Sequence, residues 1–558
     1  GTNRWQTETG AGATTSLVFP GSSVSSFTRL VLRNPSMDDY ASVCSIGCGD
    51  KVYIRDSWMK ENQRAMGGFT ARRRWVHVLL NGYYWGLYDL EEHHNTDTIS
   101  DHLIAAQPGL TTEQKLAYAA KNVRFLDYGV DNTPEPAAEA SWNAVMDAAT
   151  SAIDSVRSYR SVTASVSSGG PTVTVPLAAH GLQTGDLVTV HTGAAIGGIS
   201  GGNLSSSSRP VTVLSSGIFT YVAVSAATAN STGTLANLST SPAAPYLAVT
   251  NQLDIPSYVD YVATLSLTGK NDHGTRQFRG WRHPVDQRWR LIAWDGDANS
   301  FIDGGVVGVP TILETEDKLH PPNPLLPVAL DLVPHEILKF HPLYRAAFDN
   351  RLRFQLSSSS ANPAPGVALS QANIMARYDA VAGDFRRTLE CEAMRWGRTY
   401  AQDRMKEWRG QVKRFRDGDG SMAGPPGPAP YANGYVRQTR SNLKQIARDA
   451  RLINDIPPPV ITVSGTTATI TRTSGTGRIY FQKAASIDDP RAFLIGEPVY
   501  TPPYLGTAAP TIVSGDRYIS ARVYGPDIDG ELGWSALAVL GFFRDFRGVI
   551  MRGRGRVC

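Results

Sequence analysis

Hydrophobic positions recur with two different periods along the chain, and the period separates predicted helices from predicted strands. Helical spacing covers residues 50–66, 255–267, 334–356, 374–413 and 435–452. Strand-like runs cover 75–80, 85–90 and 289–294, and Asn81-Gly82 lies between the first two. Both central residues of a type I′ turn need a positive φ, which asparagine and glycine tolerate, so this pair predicts a β-hairpin.

The segment from Ser161 to Pro245 differs from the rest of the chain in composition. Its only charged residues are Asp186 and Arg209, and Ser, Thr, Gly, Ala and Val dominate it. Alternating runs at 172–175 and 187–190, separated by glycines, indicate short strands. We therefore predict an inserted β module over residues 159–245.

The inserted module and the later change of pattern divide the chain into predicted parts. Residues 1–158 precede the module, and a mostly helical lobe over 246–456 follows it. From residue 457 short strands alternate with turn residues, which predicts a C-terminal β sandwich over 457–545. A basic tail covers 546–558. The expected fold class is α+β.

Length and charge exclude several function classes. A chain of 558 residues is long enough for several domains. Its 54 basic and 50 acidic residues give a formal charge of +4, which argues against nucleic acid as the main partner. No apolar run is long enough to cross a membrane, and the first residues do not have the pattern of a signal peptide.

Acidic residues near the ends of two predicted elements are the main candidates for chemistry. Asp272 follows a predicted helix, and Asp295 and Asp297 follow a predicted strand. A kinase-type site needs one carboxylate near the attacking hydroxyl and others that hold Mg²⁺ against the phosphates. Asp-Gly-Asp is also an ordinary turn sequence, so spacing alone leaves a structural role open.

Two motifs resemble the CotH family of spore-coat and secreted kinase-like proteins. The run Asn81-Gly82-Tyr83-Tyr84-Trp85-Gly86-Leu87-Tyr88-Asp89-Leu90-Glu91-Glu92 is similar to its strand-turn-strand signature. Asn271-Asp272 and Trp294-Asp295-Gly296-Asp297 resemble its catalytic and metal segments, in the same order. Arg33-Asn34 also looks like a family feature. The resemblance covers about residues 17–452 without the insert and implies a two-lobed kinase-like domain interrupted by the β module.

The resemblance implies a role for each matching residue. Asp272 would be the catalytic aspartate that orients or deprotonates the acceptor hydroxyl. Asp295 would be an Mg²⁺ ligand and Asp297 a second ligand, while Gln277 stands where kinases carry a metal-binding Asn. Glu92 would lie near the hinge between the lobes and contact the cofactor, or else simply close a strand. The implied cofactors are ATP and Mg²⁺.

The chain also departs from the family pattern. The family carries a phosphate-binding lysine upstream of the segment that residues 17–32 resemble, and residues 1–16 contain no lysine. We therefore expect the chain to begin inside the small lobe, or to be a diverged copy. Arg4 is a cation that could substitute, although with a different reach.

The predicted C-terminal sandwich resembles the chitobiase-type modules that follow some CotH domains. The match lies in Ile479-Tyr480, 488–491, 521–524 and 534–537. In such a module Tyr480 or Trp534 would either contact sugar rings or pack in the core. A glycan contact through this module is therefore one expectation for partners.

These features predict a protein kinase that transfers phosphate from ATP to Ser or Thr hydroxyls of an extracellular or envelope protein of a bacterium. The alternative is a catalytically impaired kinase-like scaffold or adhesive surface protein. The missing lysine and Gln277 favour the alternative, and Asp272, Asp295 and Asp297 favour the enzyme. A third interpretation, a glycan-cleaving protein, lacks a recognisable pair of facing carboxylates.

Overall fold

The protein is a mixed helix and sheet structure, as the α+β prediction requires. The computed structural model describes residues 5–6, 18–19, 22, 24, 26–27, 29–33, 52–105, 111, 124–128, 135–241, 243–269, 278–296, 331–356, 368–395, 398–417, 434–449, 452–453, 456–473, 478–484, 497–498, 507–508, 518–526, 532–535, 538–544 and 550–552. No helix within these ranges is long and apolar enough to cross a membrane.

The described helices are numbered in chain order. They are α1 (Arg55–Ala65), α2 (Thr96–Ala105), α3 (Pro136–Asp154), α4 (Gly201–Leu204), α5 (Ala243–Thr250), α6 (Ile255–Thr268), α7 (Val333–Leu338), α8 (Pro342–Leu356), α9 (Gln371–Arg395), α10 (Arg398–Asp417) and α11 (Tyr435–Asp449). The helix predicted over 334–356 is thus two helices, because α8 begins at Pro342, where proline favours a helix start. The helix predicted over 374–413 is also divided, into α9 and α10.

The described strands pair in antiparallel fashion throughout. They are β1 (Trp5–Gln6), β2 (Ser26–Phe27), β3 (Leu30–Arg33), β4 (Arg73–Leu80), β5 (Tyr83–Glu92), β6 (Arg124–Tyr128), β7 (Arg157–Val166), β8 (Thr172–Pro176), β9 (Leu187–His191), β10 (Ser206–Pro210), β11 (Thr212–Ser215), β12 (Ile218–Val222), β13 (Ser231–Ser241), β14 (Phe278–Arg282), β15 (Trp289–Ile292), β16 (Val460–Ser464), β17 (Thr467–Thr471), β18 (Arg478–Ala484), β19 (Glu497–Pro498), β20 (Thr507–Ala508), β21 (Tyr518–Pro526), β22 (Leu532–Trp534), β23 (Ala538–Arg544) and β24 (Ile550–Arg552).

The chain divides into two compact units. The first comprises residues 1–143, 252–333 and 355–450, and the second comprises 144–251, 334–354 and 451–558. All of the described candidate site residues lie in the first unit. The domain boundaries expected from the sequence stay a prediction.

The first unit contains the predicted hairpin. Strands β4 and β5 pair across Asn81-Gly82, and both turn residues have positive φ, 51° at Asn81 and 83° at Gly82. The hairpin prediction is therefore confirmed, and glycine removes the steric cost of the second position. Strand β3 pairs with the other edge of β5, giving the sheet order β3-β5-β4.

Helix α1 is anchored in the first unit by an aromatic cluster. The ring of Trp58 makes edge contacts with the rings of Tyr378, Phe415 and Tyr435, at centroid distances of 5.9, 6.2 and 6.3 Å. These partners belong to α9, α10 and α11. Edge-to-face contacts add to the hydrophobic gain of burying such large rings. The opposite side of α1 is thereby held in position to carry polar side chains.

The second unit contains the predicted β module as a seven-stranded antiparallel sheet, ordered β10-β9-β13-β7-β8-β12-β11. Its hydrophobic cluster contains only side chains from residues 159–238. Asp186 and Arg209, the two charged residues of the segment 161–245, are both buried, at 5% and 2% exposure. Their partners include the backbone N–H of Gln183 and the carbonyl of Val222.

The C-terminal segment forms two sheets, β16-β17-β20 and β19-β18-β21-β23-β24, with β22 paired to β21. Side chains from both sheets, among them Ile470 and Ile519, share one hydrophobic cluster. The predicted sandwich stays a prediction. The side chains of Tyr480 and Trp534, considered above for sugar contact, lie outside the described part of the structure.

We predict that the β module folds without the rest of the chain, because its hydrophobic cluster draws on no other segment. A polypeptide of residues 155–243 is expected to show one cooperative thermal transition by circular dichroism. Phe219 is fully buried in that cluster, so Phe219→Ala should destabilise it by about 3–5 kcal/mol. An exposed change such as Leu214→Ala is the control. A non-cooperative melt of the parent segment would contradict the predicted domain boundary.

Candidate functional site

Asp295 lies three residues after β15 in a strained backbone conformation. Its φ is 61°, which is uncommon for residues other than glycine. A residue held in such a backbone conformation raises the free energy of the folded state by about 1–3 kcal/mol, and such residues cluster at functional sites. The carboxylate is about one quarter exposed, with 26% of the side-chain surface accessible. The backbone of Asp295 is therefore in an unfavourable conformation, and its carboxylate is accessible to solvent.

Strand β15 ends at Ile292, whereas the sequence predicts a strand that continues to Trp294, and the side chain of Gln63 bonds the backbone on either side of Ile292. Gln63 Nε2 donates to the carbonyl of Leu291 at 2.8 Å, and Gln63 Oε1 accepts from Ala293 N at 2.7 Å. A buried side chain from α1 thus takes the place of a neighbouring strand. This contact ties the segment that carries Asp295 to α1.

Arg33 joins three elements of the site. Its guanidinium donates to Asp56 Oδ2 at 3.2 Å and also to Asp295 Oδ1. Asp56 lies in the first turn of α1, and its other oxygen accepts from Gly296 N at 2.8 Å. Strand β3, helix α1 and the loop after β15 are therefore connected through one arginine and one aspartate.

Lys60 lies beside this connection and is fully buried, at 0% exposure. Its ammonium lies 2.7 Å from Asp56 Oδ2 and donates to both oxygens of Glu91, at 2.8 and 2.9 Å. Burying an unpaired ammonium is prohibitively expensive, so the two carboxylates are required for the fold. We call Arg33, Asp56, Lys60, Glu91 and Asp295 the charged cluster.

The charges of the cluster keep two of its acids ionised. Burial alone would raise the pKa of Asp56, but Lys60 and Arg33 lower it by more, so the pKa lies well below its ordinary value. Burial likewise opposes ionisation of Glu91, and Lys60 reverses the effect and lowers its pKa. Both carboxylates are therefore charged at neutral pH.

The indole ring of Trp294 is surrounded by cations. The guanidinium of Arg279 lies 3.7 Å from the ring centroid, the ammonium of Lys60 4.7 Å and the guanidinium of Arg33 5.0 Å. His94 meets the same ring edge-on at 5.0 Å. Burial, followed by Arg279 and Lys60, holds the pKa of His94 well below its ordinary value, so this neighbour is neutral. The residue before Asp295 is thus held by cation–π contacts.

Asp56, Asp89 and Glu91 place carboxylate oxygens within 4.8 Å of one another, a spacing that could suit a metal. Protein cations already occupy this group. Lys60 binds Asp56 and Glu91, and Arg73 binds Asp89 with contacts of 2.7 and 3.1 Å. These cations balance the acidic charge, so we do not assign the group as a metal site.

The residues predicted from the sequence fall into two groups. Asp295 is described, and it lies in the charged cluster. Asp272, Gln277 and Asp297 lie outside the described residues, so their roles stay predictions. Helix α6 ends at Thr268, with Gly269 at φ 61° as its C-cap, shortly before Asp272.

Glu92 is described and is buried at 1% exposure. Its oxygens accept from Arg72 N at 2.8 Å and bond with His102 Nε2 at 2.9 Å. Glu92 therefore has a structural role at the end of β5, and its expected contact with a cofactor stays a prediction.

Sequence reasoning missed Lys60, Asp56 and Glu91. The available signal was the charged positions Asp56 and Lys60, one helical turn apart in an otherwise buried helix. The family resemblance includes Arg33, but the sequence alone gives no sign that its guanidinium contacts Asp56 and Asp295. Arg4 lies outside the described residues.

Residues 229–417 match the model of the CotH kinase protein family. The CotH resemblance is confirmed. The matched range contains α6, β14, β15 and Asp295 and ends with α10, while Arg33, Lys60 and Glu91 precede it. No curated protein matches the chain.

One solved structure, the phage phi92 endosialidase, is 33% identical over 16% of this chain and 13% of that chain. Its TM-score is 0.13, and at that value the likeness carries no argument about fold or function.

We predict that Lys60→Met destabilises the protein by about 3–5 kcal/mol, because it removes the ammonium that Asp56 and Glu91 share and leaves buried Glu91 without its hydrogen-bonded cation. The measurement is the free energy of unfolding in urea, followed by circular dichroism. Lys413→Met, at an exposed lysine of α10, is the matched control and should change stability by less than about 0.5 kcal/mol. Equal effects of the two changes would contradict a buried ion network.

The lowered pKa of Asp56 makes stability depend on pH with a defined sign. Asp56 binds a proton more weakly in the folded protein, so its stabilisation is complete above its ordinary pKa of 3.8 and is lost as the pH falls below that value. Asp56→Asn should cost about 3 kcal/mol at pH 7 and flatten the loss of stability between about pH 5 and 2. Urea midpoints across that range test this. Parallel curves for parent and variant would exclude Asp56 as the titrating group.

Proposed function

We propose that this protein is a CotH-type phosphotransferase that uses ATP and Mg²⁺ to phosphorylate Ser or Thr hydroxyls of a protein. The observation that carries the proposal is the bonding of Arg33 to both Asp56 and Asp295. Protein kinases combine a strand cation paired with a helix carboxylate and a metal-binding aspartate after a later strand. Here β3 supplies the cation, α1 the carboxylate and the loop after β15 the aspartate.

Arg33 takes the role that a lysine has in most kinases. Its guanidinium is always charged and has a fork of donors that suits phosphate oxygens. Asp56 orients the guanidinium through the 3.2 Å contact, and Lys60 holds Asp56 from the other side. Arg33 is therefore our candidate for the phosphate-binding cation.

The donors at Asp295 fit Mg²⁺, which prefers carboxylate oxygens. Asp295 has the exposure that a ligand needs, and Asp297 and Gln277 are proposed to complete the protein ligands. When bound, Mg²⁺ neutralises charge on the phosphate oxygens. Asp272 is proposed to accept the proton of the acceptor hydroxyl and to hold that oxygen towards the phosphate.

The acceptor and the location of the protein follow from the family and are also proposals. We infer that the acceptor is a protein of the bacterial cell envelope or exterior, and that the C-terminal module contacts glycan there. The inserted and C-terminal β modules would then serve binding rather than catalysis.

One observation favours the alternative, a kinase-like scaffold without catalysis. Arg33 is bonded to the carboxylate that would bind the metal, and such a bond stabilises the protein without any ligand. Calorimetric titration with ATP at millimolar Mg²⁺ separates the two functions. Measurable binding supports the transferase, and no binding by the parent protein supports the scaffold.

We predict distinct phenotypes for the two proposed aspartates. Asp295→Asn should abolish Mg²⁺-dependent ATP binding while the protein stays folded, because asparagine also tolerates positive φ. Asp272→Asn should retain ATP binding and lose phosphate transfer, because that residue acts on the acceptor. Gln277→Asn, which introduces the shorter amide of kinases, should leave activity unchanged or raise it.

Arg33→Lys is the matched test of the strand cation. Arg33→Lys keeps the positive charge and loses the guanidinium fork, so ATP binding should weaken by about tenfold. Arg33→Gln removes the charge as well and should abolish ATP binding. Thermal melts of each variant control for folding. Full ATP affinity in Arg33→Gln would place the phosphates elsewhere.

A further inference from the structure

The C-terminal end of helix α1 has a backbone arrangement that limits which residue can follow it. The amide of Gly67 donates to the carbonyl of Arg64 at 2.9 Å, and the amide of Gly68 donates to the carbonyl of Gln63 at 3.0 Å. Together with a φ of 96° at Gly67, these two bonds form the Schellman motif that ends many helices. The second bond brings the backbone of Gly68 against Gln63, whose side chain reaches β15.

The glycine at residue 68 leaves the space that the side chain of Gln63 occupies. A Cβ atom at residue 68 would lie 2.7 Å from Cγ and 3.2 Å from Cδ of Gln63. Carbon atoms in favourable contact are about 3.5–4.0 Å apart. Gln63 is fully buried, at 0% exposure, so its side chain cannot move aside into solvent. A side chain at residue 68 is therefore incompatible with the observed position of Gln63.

The position of Gln63 matters because its carboxamide bonds the backbone just before Asp295. Strand β15 is the last strand of the described sheet β15-β14-β6, and Gln63 bonds its outer edge at Leu291 and Ala293. A carboxamide offers both an acceptor and donors, and Gln63 uses one of each here. Gln63 thus acts on Asp295 through these two backbone bonds rather than by bonding its carboxylate.

We propose that Gln63, kept in place by Gly68, is the positioning residue that holds Asp295 for a divalent cation. This inference rests on the proposed function, in which Asp295 binds Mg²⁺. The φ of 61° at Asp295 is unfavourable, so the segment should relax when the backbone bonds before it are lost. Mg²⁺ demands near-ideal octahedral geometry, and a displaced carboxylate binds it less well.

Hydrogen exchange measures this restraint without any ligand. In Gln63→Met the amide of Ala293 loses its acceptor, so its exchange should become about tenfold faster or more. Gly68→Ala should have the same effect by displacing Gln63. The amides of β14 are the internal reference and should keep the rates of the parent. Gly383→Ala in α9 is the matched control, because a Cβ atom there meets nothing within 4 Å.

Calorimetric titration with ATP at a series of Mg²⁺ concentrations measures the effect on the metal. In Gln63→Met and in Gly68→Ala, the Mg²⁺ concentration that gives half-maximal ATP binding should rise by about tenfold or more. Saturating Mg²⁺ should restore ATP affinity, because Arg33 and the carboxylate of Asp295 are still present. The double variant should be affected no more than Gln63→Met, since Gly68 acts through Gln63. A merely structural role would lower the melting temperature without this shift.

Gln63→Glu adds a pH dependence that only the positioning role predicts. A protonated carboxyl donates to the carbonyl of Leu291 as the amide does, and an ionised carboxylate has no proton to donate. The Mg²⁺ concentration for half-maximal ATP binding should therefore rise with pH in this variant relative to the parent. The same pH dependence in both proteins would count against the role of Gln63.

The proposal is overturned if Gln63→Met leaves the exchange of Ala293 unchanged, or if it speeds that exchange while the Mg²⁺ dependence stays that of the parent. Failure of the proposed function gives a different result. A parent that binds no ATP at any Mg²⁺ concentration overturns the proposed function and the role of Gln63 towards the metal together, whereas the exchange rates still decide whether Gln63 holds the segment.

Discussion

The buried ammonium of Lys60 is the interaction on which the rest of the site depends. It is fully enclosed and bonded to Asp56 in its own helix and to Glu91 on β5. Because an unpaired buried charge is so costly, α1 cannot shift along the sheet without breaking these bonds. The position of α1 in turn fixes Asp56, and through it Arg33 and the backbone of Gly296.

The segment that carries Asp295 is restrained on both sides of that residue. Gln63 holds the backbone before it, and cations hold the ring of Trp294. Such restraints explain how a non-glycine residue keeps φ at 61°. The hydrophobic core also restrains this segment, because Trp58 packs in the core and holds α1, the helix that carries Gln63. The backbone conformation of Asp295 therefore depends both on the packing of α1 and on the ion pairs of the charged cluster.

The sequence was sufficient for local features and insufficient for long-range ones. Asn81-Gly82 identified the hairpin because the turn depends on its own two residues. The spacing of hydrophobic residues identified α6 almost to its ends, whereas α1 begins at Arg55, five residues later than predicted. Strand β15 was predicted to reach Trp294 but ends at Ile292, where its backbone bonds Gln63, a residue more than two hundred positions earlier in the sequence. Lys60 was missed because its partner Glu91 lies on a different element, a contact that local spacing does not reveal.

The arginine at residue 33 has a physical consequence for the proposed chemistry. A guanidinium fork can bind two carboxylates at once, and Arg33 does so with Asp56 and Asp295. While that bond lasts, one oxygen of Asp295 is not available to a metal. Phosphate oxygens that draw Arg33 away release the carboxylate, so nucleotide and metal are expected to bind together more strongly than either does alone. The bond that argues for a scaffold would therefore also couple the two proposed ligands, because each would bind more readily once the other had drawn Arg33 and Asp295 apart.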